Sequence, residues 1–134
     1  MRMDQWLEET YALQTEAFGV DYELFESIRS LAQFLDWNTT AAVQELAELR
    51  VEFSWKPWAV DSPFVNRARV IGEIVDCMHF LGNILSALDV TDAEFAEAYT
   101  SKMVLNRLRM ESKRYSAQKG LLGEGSDDGG PSSY

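Results

Sequence analysis

The stretch VIGEIVDCMHFLGNIL, Val70 to Leu85, decides the fold. Its apolar residues recur every three and four positions, the period of a helix that packs on a neighbour. Glu73 and Asp76 interrupt it one turn apart, so two carboxylates share a face within an otherwise apolar segment. The same spacing stands upstream in QELAEL, as Glu45 and Glu48, with Glu45 lying 28 residues before Glu73. A lone pair of this kind is most often solvated surface. Two such pairs, flanked by Leu46, Ala47 and Leu49 on one side and by Ile74, Val75, Phe80 and Leu81 on the other, favour a different reading. Carboxylates among core residues are costly to desolvate unless they are paired or bind a cation. Four of them converging from two antiparallel helices suit Mg²⁺, with Mn²⁺ as a substitute, and leave positions for water and phosphate oxygens.

Outward from that segment the three-to-four period covers almost the whole chain, and alternation of period two is scarce, which predicts an all-α bundle of four to five helices. The first is expected from about Asp4 to Phe18, stopped by Gly19, and a second from Tyr22 to Leu35. Asn38 to Thr40 supply N-cap candidates for a third helix reaching Trp55. Asp61 or Ser62, with Pro63 in the first turn, is expected to open a fourth that ends near Asp89. Thr91 and Glu94 have capping-box spacing and predict a fifth, to about Lys113. Residues 1–118 then form one domain, and 119–134, rich in Gly, Ser and Asp, read as a flexible tail.

Composition excludes some functions. In 134 residues, 12 basic against 22 acidic side chains leave a net charge of -10, which disfavours a nucleic-acid surface. Glu73, Asp76 and His79 break the richest apolar stretch, so no membrane span is expected, and MRMDQWLEETYALQ lacks the apolar run of a signal peptide. Cys77 is the only cysteine, which points to a reducing compartment and a cytoplasmic protein.

Other residues extend the constellation. Lys102, Asn106 and Arg109 fall at i, i+4 and i+7, a polar stripe able to hold a polyphosphate and equally able to be a solvated face. In SWKPW, Trp55 and Trp58 flank Lys56, either as packing residues or as a base-stacking wall beside a phosphate-binding lysine. Asn83, seven residues after Asp76, lies on the same side of its helix and either reaches a sugar hydroxyl or packs. A di-iron bundle needs two His-bearing motifs, and His79 is the only histidine.

In that order, ELAELRVEFSWKPW followed by EIVDCMHF resembles the all-α nucleotide pyrophosphohydrolases, the superfamily of MazG and the dimeric dUTPases. The dUTPase branch is matched by Trp55-Lys56-Pro57-Trp58, by His79-Phe80 and by the Lys102, Asn106, Arg109 element. The resemblance implies Mg²⁺ held by Glu45, Glu48, Glu73 and Asp76, and phosphates met by Lys56, Lys102, Asn106 and Arg109. It further implies that Trp55 or Trp58 borders the nucleoside; Gln14, Phe18, His79 and Asn83 are the other candidates on the base and sugar side. The reaction implied is attack of a metal-activated water on the α-phosphorus, releasing pyrophosphate and a nucleoside monophosphate, with Glu48 orienting or deprotonating that water.

The branch reads uracil with amides, following Leu-Gln by an Asn; here Leu13-Gln14 is followed by Phe18, and Lys113-Arg114 replace a usual Gly-Tyr. An apolar ring offers a uracil edge no hydrogen bond. Relatives, several of them phage-encoded, include dGTP-acting members, so the expected substrate is a purine deoxynucleotide such as dGTP, with dUTP as the alternative. Family members assemble as dimers or tetramers, and a homodimer or homotetramer is expected here, in a host cytoplasm if the chain is phage-encoded. The competing class is a non-catalytic acidic helical interaction protein.

Overall fold

The computed structural model describes residues 1–25, 27–58 and 64–124. Two compact units divide the chain, Met1–Asp92 and Ala93–Tyr134. The first contains α1 (Met3–Ala12), α2 (Ile28–Val51) and α3 (Arg67–Ala87), and the second is carried by α4 (Asp92–Glu124). The all-α expectation holds: among the described residues, β pairing is limited to one isolated antiparallel bridge, Phe53 with Val65.

Helix α1 does not end cleanly at Ala12. It widens into a π-helical turn, Leu13–Ala17, in which the Thr15 hydroxyl donates to the Tyr11 carbonyl at 2.9 Å. Gly19, at φ +67, then takes the left-handed conformation that stops the helix, where the sequence places the stop. The start of the expected second helix is a separate single turn, Tyr22–Leu24, capped by Asp21. Tyr22 stacks on Tyr11 and meets Phe34 edge-on, which fastens this turn to α1 and α2.

The expected second and third helices are largely one. Ser27 and Ser30 form a reciprocal cap that starts α2, and the helix runs unbroken through Asn38–Thr40. Asn38 and Thr39 do not cap because their side chains bond backwards along the helix. Asn38 Nδ2 donates to the Phe34 carbonyl and Thr39 Oγ1 to that of Leu35, each at 2.8 Å.

The connection to α3 is pinned by the Asn66 amide on the Glu52 carbonyl at 2.8 Å, and by Ser54 and Phe64 bonding in both directions. Asn66 caps α3 by accepting from the Arg69 amide; the expected opening at Asp61, Ser62 and Pro63 lies outside the described residues. Helix α4 begins at Asp92 as expected but continues past Lys113 to Glu124. The rest of the expected tail, 125–134, is likewise outside the described residues.

Helix α3 packs against both α1 and α2. By length and composition alone it could cross a membrane, with a mean hydropathy of 1.3 over its most apolar stretch, of which 17 % is buried among the described residues. At Gly82 a Cβ would fall 2.7 Å from Thr10 Cγ2, so only glycine admits α1 this close. The best-buried described residues are few: Ala42 and Cys77 among the hydrophobics, Thr10, Asn38 and Asn83 among the polar ones.

Candidate metal centre

Helices α2 and α3 run antiparallel, and their cross-contacts descend in opposite order. The Asn83 amide donates to Asn38 Oδ1 at 2.8 Å, and the Cys77 thiol contacts the Ala42 carbonyl at 3.4 Å. One further turn along, α2 presents Glu45 to Glu73 and Asp76 of α3. One carboxylate oxygen from each of the three lies within 4.8 Å of the others. Glu45 and Glu73 are half-buried although neighbouring Leu46, Ile74 and Val75 are exposed, so these two acids occupy the helix–helix seam, with Asp76 exposed at its edge.

This placement shapes the electrostatics. Burial pushes the Glu45 carboxyl up to about 7, helped by proton sharing with Glu73 and Glu48 and by the charges of Glu48 and Asp76. Glu73 Oε2 is buried and has no hydrogen-bond partner. Between two ionised carboxylates there is no hydrogen to share, so that oxygen gains a donor only when Glu45 is protonated. Among the described residues the ion pairs, Arg2 with Asp4 and Arg69 with Glu52, engage none of the three acids. An orphaned oxygen within a set of hard oxygen donors, uncompensated by any cationic side chain, fits a divalent cation.

Glu48 stands outside the three-acid group. It is exposed, accepts from Gln44 Nε2 at 3.4 Å, and lies close enough to Glu45 to raise its pKa. His79, one turn beyond Asp76, is half-buried. Burial lowers its pKa, opposed by the Asp76 charge, and its ring meets Phe80 edge-on.

A cavity of about 230 Å³ between α1 and α3 is lined by His79, Val75 and Met78 on one side and by Trp6, Thr10 and Leu13 on the other. These α1 residues escape a motif-based reading. Their signal is the i, i+4, i+7 spacing, which reads first as core packing. Gln14 is half-buried in the π-helical turn, and Phe18 is 67 % exposed and takes no part in lining this cavity.

The other expected contacts are distributed. Asn83 is 1 % exposed and faces Asn38, so the packing alternative describes it and the sugar contact does not. The Arg50 guanidinium lies 3.7 Å above the centroid of Trp55 and the Lys56 ammonium 5.0 Å from it, so Trp55 is engaged in cation–π stacking. Trp58 meets Trp55 edge-on and is 76 % exposed, the more open of the two rings. Lys102, Asn106 and Arg109 are exposed on α4, in the second unit.

The described residues are mostly helical, and acids of α2 and α3 meet across an antiparallel pair. The particular family is given by direct comparison: the dUTPase family model matches residues 4–115, and the chain belongs to that family. Its members are hydrolases acting on nucleoside triphosphates. Searches of curated proteins and of solved structures returned no match.

Proposed function

We propose that this protein is a Mg²⁺-dependent pyrophosphohydrolase that converts a deoxynucleoside triphosphate to its monophosphate and pyrophosphate. The observation that carries this reading is the three-carboxylate group with its unpartnered Glu73 oxygen. Glu45, Glu73 and Asp76 would hold the cation, with Glu48 beside them. The bound ion would supply a water of lowered pKa and would neutralise charge growing on the phosphates.

In this reading Glu48, exposed and adjacent to Glu45, orients the water and accepts its proton. The water oxygen bonds to the α-phosphorus, the bond from that phosphorus to the bridging oxygen breaks, and pyrophosphate leaves. Lys56, Lys102, Asn106 and Arg109 are assigned to the phosphates. The apolar cavity at Trp6, Leu13 and His79 is assigned to the base, beside the helix that carries Asp76.

We favour a purine deoxynucleotide such as dGTP, because Phe18 stands where uracil recognition needs an amide. Family membership favours the second reading, dUTP. We also propose a homodimer or homotetramer, supported by the exposure of Ile74, Val75 and Leu81 on the helix that bears the site, and a cytoplasmic setting, supported by the free thiol of Cys77.

A pyrophosphate-release screen with Mg²⁺ across dGTP, dUTP, dATP, dCTP, dTTP and the ribonucleotides tests the reading. Turnover of dGTP ahead of dUTP is expected, and Glu48→Gln and Asp76→Asn should each abolish it without loss of helicity. Full activity in both variants would overturn the site. No turnover of any nucleotide, with no cation-dependent rise in Tm, would favour the non-catalytic bundle.

A further inference from the structure

We infer that the buried Asn38–Asn83 pair is a register lock. It would fix which turns of α2 and α3 stand opposite one another, and so bring Glu45 onto Glu73 and Asp76. The inference rests on the metal reading of that carboxylate group. Asn38 precedes Glu45 by seven residues and Asn83 comes seven after Asp76. Moving two turns, about 10.5 Å, along each antiparallel helix therefore carries the amide pair onto the acid pair. Between them, Cys77, the residue after Asp76, lies against the Ala42 carbonyl.

The amide pair is directional. Asn38 Nδ2 is tied to the Phe34 carbonyl, which leaves Asn38 Oδ1 to accept from Asn83 Nδ2 at 2.8 Å. The two side chains are 7 % and 1 % exposed. A slip of one turn would strand both amides among apolar groups, an outcome disfavoured far more strongly than a slip between small apolar faces such as Ala42 and Cys77. Single buried asparagines set register in this way in coiled coils, at some cost in stability. That cost is visible here, since Asn83 Oδ1 is buried without a partner. Once all are ionised, the acids cannot perform the alignment themselves, because like charges then repel until a cation arrives. Asn38 and Asn83 are thus positioning residues that act through the carboxylates.

The test uses the full chain and the double variant Asn38→Leu/Asn83→Leu, which removes both amides together. Three quantities are measured: thermal unfolding, Mn²⁺ affinity by electron paramagnetic resonance, and the rate at which Cys77 is alkylated under native conditions. The double variant should keep its helicity and a Tm at or above that of the wild type, because replacing both partners of a buried pair is close to neutral. Its Mn²⁺ affinity should fall by roughly tenfold or more, the range seen when groups that orient metal ligands are lost. Cys77 should react faster, because a slipped seam uncovers it although the protein remains folded. A folded double variant with wild-type Mn²⁺ affinity and a protected Cys77 would overturn the inference.

If the double variant does not fold, Asn38→Asp decides, since it keeps an acceptor for Asn83. Retained Mn²⁺ affinity and Cys77 protection support the lock, and their loss in a folded Asn38→Asp protein overturns it. Wild-type protein that binds no Mn²⁺ defeats the metal reading instead, and alkylation of Cys77 still reports the register by itself.

Discussion

Glu45 holds its proton unusually well for a carboxyl, and the sign of the consequence can be worked out. Its pKa is raised from 4.5 to about 7, so between those values the folded chain binds a proton that the unfolded chain has released. Stability of the metal-free protein should therefore be greatest below pH 4.5 as far as this group is concerned, and should fall as pH rises to about 7. Thermal unfolding in a chelator across that window checks it, with Glu45→Gln flattening the slope. A divalent cation must displace the same proton, so Mn²⁺ affinity should climb over the same window and level off above it. At this scale the sequence points to Glu45, Glu73 and Asp76 but also to Glu48, which stands outside their group, and it is silent on protonation, because desolvation depends on how deeply the seam between α2 and α3 holds each acid.

At the scale of elements, two substitutions probe the contacts that set the frame. Gly82→Ala would drive a Cβ to 2.7 Å from Thr10 Cγ2 and should cost about 1–3 kcal/mol in denaturant unfolding, with partial recovery in Thr10→Ala/Gly82→Ala. Ser27→Ala removes half of the reciprocal cap on α2 and should cost about 1 kcal/mol. The helical class and the site helices were legible in the sequence, because the acids of QELAEL and GEIVD sit inside apolar stripes of unmistakable period. Boundaries were less so. Asn38 and Thr39 read as caps in one dimension, whereas the fold turns their polar atoms back onto the same helix and onto Asn83. The cavity residues Trp6, Thr10 and Leu13 were equally hidden, since an apolar stripe announces burial and says nothing of a space left beside it.

At the scale of the whole molecule, the apolar surface exceeds what one copy covers. The most apolar window of α3 is only 17 % buried within the chain, and Val75 and Leu81 of that helix are exposed. Association that covers this surface would bind the folded state alone, so Tm should rise with protein concentration, as calorimetry over a hundredfold dilution series would show. Leu81→Glu should abolish that dependence and shift the sedimentation profile towards monomer. A concentration-independent Tm, with one sedimenting species of monomer mass, would contradict the proposed assembly.

The wide turn that closes α1 bears on how this chain can change. A π-helical turn holds one residue more than regular winding does, so Leu13–Ala17 behaves as a helix end that has absorbed an extra position without breaking. Deleting one residue there would let ordinary winding resume and leave the residues beyond the turn in place. Gln14, inside the turn, would be re-aimed, while Phe18 and the seam between α2 and α3 kept their places. The end of α1 is thus a place where the chain can lose a residue without the change of register that the same loss would force on a regular helix.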